Sequence, residues 1–244
     1  MTSTEAMIYQ LKQLKGKPLK KKVEHILTYF RLPIVITLIF LAVIGYYVIH
    51  LATVKDVALC VVCMNTHADS EAVENLAAGF AEEAEIDPKE YEVQIATDFM
   101  LDSEDPSMDY TGMQAVDVRI AANAVDLLAG DRDTATMYFY REVYENLNQV
   151  LTQQQKAKYA EYFLYMDMAV MRLMSDEEGE PVRLPDPTKP EEMEEPVPVA
   201  LLVNGDSIFA DACYRNMSNG IAIGIVVNAK NLENALAFLD HIMQ

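Results

Sequence analysis

Asp56–Asn65 reads DVALCVVCMN. Eight consecutive apolar residues without polar alternation describe a strand buried on both faces, as in α/β sheets covered by helices on each side. The next segment has a different period. From Ala68 to Ile86, Val73, Leu76, Ala77, Phe80 and Ala84 recur at helical spacing. Asp69 or Ser70 stands where a cap belongs, Glu71 and Glu74 suit the helix dipole, and Asp87-Pro88 ends the run.

Downstream the alternation continues. Tyr91–Thr97 (YEVQIAT) reads as a strand and Thr111–Leu128 as a helix stopped at Ala129-Gly130-Asp131. Asp133–Tyr140 (DTATMYFY) reads as a third strand, Arg141–Leu151 as a helix, and Gln153–Tyr162 as another capped by Thr152. Val199–Asn204 and Gly220–Asn228 read as strands, with a short helix or turn over Asp206–Arg215 between them. A last helix, Leu232–Met243, is capped by Asn231. The expected fold is α/β: one open, mostly parallel sheet of about five strands with helices on both faces. Ser175–Pro198 interrupts this order with nine acidic residues and six prolines, a composition that cannot bury a core.

Upstream lies Leu32–Ala52, LPIVITLIFLAVIGYYVIHLA, without one Asp, Glu, Lys or Arg. About 20 helical residues cross a bilayer core. Residues 1–31 hold seven basic residues against two acidic; the remaining chain holds twelve basic against 36 acidic. Basic residues beside a span stay in the cytoplasm. The expected organisation is a basic cytoplasmic tail at 1–31, a transmembrane signal anchor at 32–53 and an extracytoplasmic domain at 54–244. A cleaved signal peptide fits less well, because the apolar run is long and His50-Leu51-Ala52 makes a poor cleavage site. Met7, Leu11, Leu14 and Leu19 among lysines would suit an anionic membrane surface, although the tail need only set topology.

The acidic domain excludes nucleic acid as a partner, which needs a basic face. Cys60 and Cys63 sit three apart on a strand, so their thiols point to opposite faces; buried free thiols are expected, with a bond from Cys213 to one of them left open. No Gly-x-Ser-x-Gly, His-Glu-x-x-His or phosphate loop occurs, and no catalytic residue, cofactor or metal site is assigned. The acidic loop Asp102–Asp105 with Asp109 lacks calcium-loop order.

Open α/β sheets bind ligands at strand carboxyl ends. Those ends supply Asn65, Thr66, His67, Asp98, Tyr138, Tyr140, Asn204 and Asp206, a set suited to a small solute, a sugar or a peptide. The alternative is that the Asn and Asp residues only punctuate turns.

Three stretches carry a family resemblance: ALCVVCMNT with its acidic helix, residues 113–163, and the ending GIAIGIVVNAKNLENALAFLDHIM. In element order the chain resembles one lobe of the bacterial extracellular solute-binding proteins of ABC transporters. The resemblance implies a membrane-anchored, extracytoplasmic, non-catalytic binding or accessory domain. A second lobe would have to fit within Ala169–Pro198, which is too short and too acidic to form one. Other readings are a cell-envelope scaffold that contacts a protein partner through Ser175–Pro198, and an envelope hydrolase using His67 and Asp98.

Overall fold

The computed structural model describes residues 9, 18–29, 31–101, 106–174, 183–215 and 220–243. The chain divides into two compact units, Met1–Val54 and Lys55–Gln244. In the first, α1 (Leu19–Tyr29) precedes α2 (Arg31–Thr53). Among the described residues α2 alone is long and apolar enough to cross a membrane, and Arg31–Val48 is not buried within the protein. Met7, Leu11 and Leu14 lie outside the described residues.

The second unit is a six-stranded α/β sheet. Its strands are β1 (Asp56–Met64), β2 (Tyr91–Phe99), β3 (Leu127–Asp131), β4 (Phe163–Asp167), β5 (Pro196–Val203) and β6 (Ile221–Ile225), in the order β2-β1-β3-β6-β5-β4. β1 pairs parallel with β2 and β3, and the other three pairings are antiparallel. β1 matches its sequence pattern closely. Leu59, Val61 and Cys63 enter one core and Cys60, Val62 and Met64 the other, so both faces are buried. The two thiols diverge as strand geometry requires, and Cys60, Cys63 and Cys213 are free and buried. Burial raises the Cys60 thiol to about 11, which keeps it protonated and unreactive.

One core lies under α3 (Ser70–Glu83), α9 (Ile208–Cys213) and α10 (Leu232–Ile242), through Leu76, Phe80, Phe209 and Phe238. The other lies under α4 (Pro106–Ala121) and α5 (Arg132–Phe139), through Val116, Tyr138 and Phe139. Gly224 sits where the antiparallel pairs meet. A Cβ there would stand 2.4 Å from the Tyr144 ring and 2.7 Å from the Val199 carbonyl oxygen.

Several sequence readings are corrected. Leu127–Asp131, read as helix end and turn, is β3; Asp133–Tyr140, read as a strand, is mostly α5. Apolar LLA is short enough for either state, and pairing with Val61–Cys63 on one side and Ile223–Ile225 on the other decides it. Phe163–Asp167, unassigned from sequence, is β4, at the sheet edge, and leads into α8 (Met168–Met174). Arg141–Leu151 is helical only over α6 (Leu147–Val150). The helix after Thr152 is α7 (Gln153–Tyr159), followed by a 3-10 turn, and carries the expected cap as a full capping box. Asn231 occupies the N-cap position of α10 but makes no capping bond; its side chain donates to Asp126 and to the Val57 carbonyl.

The acidic connection is only in part an excursion. Residues 175–182 and the acidic loop 102–105 lie outside the described residues. Residues 183–195 dock along β4, and Pro196–Pro198 belong to β5. The docking side chain is Asp167, 4 % exposed, whose carboxylate accepts from the N–H groups of Glu194 (2.9 Å), Glu195 (3.0 Å) and Ala169 (3.0 Å). The Tyr165 N–H donates to the Pro187 carbonyl at 2.8 Å, and the Met168 N–H to that of Glu195 at 3.0 Å.

Candidate functional site

β1, β2, β3 and β5 all end at the same edge of the sheet, because β5 is antiparallel to β6, which is itself antiparallel to β3. This edge collects Asn65, Thr66 and His67 after β1, Asp98 within the end of β2, and Asn204 and Asp206 after β5. Four inter-strand steps separate β2 from β5, so at ~4.8 Å each the row is about 19 Å long.

Its base is structural. Asn65 takes a left-handed φ of 55°, which Asn tolerates better than most side chains. It is 7 % exposed, and its amide is fully used. Nδ2 donates to Asp131 Oδ2 and Thr134 Oγ1, both at 2.8 Å, while Oδ1 accepts the Leu101 N–H at 2.6 Å. The Asn65 N–H donates to the Phe99 carbonyl at 2.8 Å. One side chain thus joins the ends of β1, β2 and β3. Thr66 Oγ1 donates to the Thr97 carbonyl at 2.6 Å, adding a second stitch between β1 and β2. Asp131 also caps α5 by accepting the Thr134 N–H.

His67, Asp98, Asn204 and Asp206 are exposed above this base. The His67 backbone N–H is tied to the Cys213 carbonyl at 3.1 Å, which fixes the loop and leaves the imidazole at the surface. Among the described residues no hydrogen bond or ion pair joins His67 to Asp98.

Tyr138 and Tyr140 do not join this edge. The segment expected as a strand is α5, which starts at the edge and carries them away from it. Both are buried. Tyr140 Oη accepts the N–H of Asp167, at the opposite end of β4, at 3.2 Å. Burial raises the Tyr138 hydroxyl to about 12, aided by nearby Asp117, and the Arg141 guanidinium stands 5.0 Å from its ring centroid. These two tyrosines are core and support residues.

Sequence reading missed Asp131, Asp126, Asp167 and Asp240 as organising groups. Asp131 had a local signal, an acidic residue three before Thr134 as at a helix cap. Asp126 had none. It is 2 % exposed and accepts from the Cys60 N–H (2.8 Å), the Asn231 N–H (2.9 Å) and Asn231 Nδ2 (3.1 Å), tying β1 to the start of α10. Asp240 gathers Gln155, Lys158 and Tyr159 of α7 onto α10.

Two hollows among the described residues lie away from this edge. A cavity of about 470 Å³ opens at the amino end of β1 and β2, bordered by Asp56, Tyr91, Gln94, Asn123, Asp126 and Lys230. A shallower groove of about 440 Å³ runs between α3 and α9, past Leu76, Gly79 and Ile208. Among the described residues no three His, Cys, Asp or Glu side chains gather as a metal site requires.

No family model matches the chain, and no curated protein matches it. Among solved structures the periplasmic binding protein P5PA aligns over 78 % of this chain and 80 % of its own, at 14 % identity and a TM-score of 0.35. A likeness this low carries no argument about function.

Proposed function

We propose that the chain is a single-pass, membrane-tethered protein whose Lys55–Gln244 unit lies outside the cytoplasm and works by binding rather than by catalysis. The tether is α2, and the orientation follows from the basic tail and the acidic remainder. The unit is read as a reduced lobe of solute-binding type, serving as an accessory domain.

The observation that carries this reading is the carboxyl edge of the sheet. Its inner polar groups, Asn65 and Thr66, are committed to holding strands together. Its outer groups, His67, Asp98, Asn204 and Asp206, form an exposed row about 19 Å long at ~4.8 Å per strand step. Such a row suits an extended peptide or glycan, or the surface of a partner protein. An enclosed small solute needs convergent polar groups within a pocket.

The test is a thermal-shift series on the Lys55–Gln244 unit with amino acids, monosaccharides, peptides and oligosaccharides. An extended ligand at 100 times its dissociation constant adds about 2.7 kcal/mol, a rise of about 5–11 °C for a unit of this size. The double variant Asp98→Ala, Asp206→Ala should abolish that rise. A shift produced by a free amino acid or monosaccharide, or one untouched by the double variant, would remove the edge from consideration.

A second reading makes the domain an envelope scaffold that contacts its partner through the acidic connection. It is favoured by exposed Glu191, Glu192, Glu194 and Glu195 on the segment that Asp167 docks. Replacing residues 183–195 with a neutral linker should then abolish cross-linking to the partner in membranes; retained cross-linking rejects it.

A further inference from the structure

We infer that α1 lies along the surface of an anionic membrane leaflet as an amphipathic in-plane helix; this rests on the reading of α2 as a membrane span. Leu19, Val23 and Leu27 recur every fourth residue and stand 80 %, 53 % and 57 % exposed. They form an exposed apolar stripe along the helix among the described residues. At ~100° per residue, Lys20 and Lys22 fall on the two flanks of the stripe and Thr28 on the far side. The Thr28 hydroxyl donates back to the Glu24 carbonyl at 2.7 Å.

What covers the stripe must be apolar at its centre and negative along both sides. The boundary between acyl chains and anionic headgroups has that arrangement: leucine and valine enter the acyl layer while flanking lysines extend to the phosphates. The sequence places the stripe beside the proposed span, since α2 begins two residues after α1 ends. A second copy of α1 fits less well. Parallel pairing along the stripe would set the flanking lysines of each copy against those of the other, and like charges beside a helix seam repel.

The chain contains no tryptophan, so a single introduced one reports its own surroundings. The full chain would be reconstituted as Val23→Trp, Thr28→Trp and Phe40→Trp variants. Vesicles would be phosphatidylcholine alone or phosphatidylcholine mixed with phosphatidylglycerol, with emission wavelength and acrylamide quenching read for each. The tryptophan at 23 should be blue-shifted and shielded in the anionic vesicles and wet in the neutral ones. At 28 it should be wet in both, and at 40 shielded in both. Changing Lys20 and Lys22 to Gln should lower the docked-to-free ratio about fivefold for each lysine, and high salt should act in the same direction.

A wet tryptophan at 23 in anionic vesicles, with that at 40 still shielded, overturns the surface helix and leaves the span standing. A wet tryptophan at 40 overturns the span itself. Shielding at 23 that rises with protein-to-lipid ratio, or that is equal in both lipids, would mean helix pairing or uncharged insertion and would also overturn the inference.

Discussion

The two halves of the sheet are held at their ends in opposite ways. In the parallel half, β2-β1-β3, one neutral amide, Asn65, links three strand ends. In the antiparallel half, one carboxylate, Asp167, docks the long acidic connection onto β4. Both side chains are buried and both satisfy backbone N–H groups, which would be costly to leave unpaired. The amide does not titrate, whereas the carboxylate does. Burial alone would favour its neutral form, but the N–H groups of Glu194, Glu195, Ala169 and Val170 outweigh it and hold Asp167 below the usual carboxylate range. One fold thereby contains a joint whose central side chain cannot titrate and one whose central side chain can.

The largest effect should come from Asn65→Ala. It strands the Leu101 N–H, removes one of the partners of Asp131 and puts Ala at a φ of 55°. Urea unfolding should show a loss of about 3 kcal/mol. A loss below about 1 kcal/mol would mean that water replaces the amide and that the joint is not shared by three strands.

Gly224→Ala tests the seam between the halves. The added methyl meets the Tyr144 ring and the Val199 carbonyl, and overpacking of this kind costs about 1–3 kcal/mol. A neutral outcome would show that Tyr144 moves aside freely.

Asp167→Asn tests the acid-sensitive joint and should cost about 2 kcal/mol, since hydrogen bonds to a charged acceptor are worth more than neutral ones. The sign with pH comes from the lowered folded value. The contribution is complete above the unfolded Asp value of about 3.9 and is lost as pH falls through the still lower folded value. Hydrogen exchange should show residues 183–195 losing protection below about pH 4 in the wild type. In Asp167→Asn that protection should be low at every pH, while residues near Asn65 stay protected in both. Equal acid sensitivity at the two ends would break the comparison.

The smallest effect belongs to Arg172→Ala. The Arg172–Glu195 pair ties the same connection to the helix Met168–Met174, but the two side chains are 60 % and 50 % exposed. Its loss should change stability by less than about 0.5 kcal/mol and leave the protection of residues 183–195 unchanged.

Legibility in sequence tracks burial pattern. β1 is readable because apolar residues on both faces leave no other interpretation for DVALCVVCM. α3 is readable from its period and its Asp69 cap, which accepts from the Glu71 and Ala72 N–H groups. β3 and α5 exchange their expected states because LLAGD and RDTATMYF carry weak periods, and partner strands settle such segments. Of the eight proposed edge residues, Tyr138 and Tyr140 are lost with that exchange. Asn65 and Thr66 stand where expected but serve the scaffold.

The apolar helix, the charge asymmetry about it, the α/β alternation and the divergence of Cys60 from Cys63 are all legible in the chain before it folds, because each is a local periodicity or a count. Folding in three dimensions settles which strands are neighbours, that β4 exists, and that Asn65, Asp126 and Asp167 are joints. Those outcomes depend on backbone N–H groups brought together from positions as much as 105 residues apart, as between Asp126 and Asn231. A single Asn or Asp carries no mark in the sequence that says which distant donor it will meet.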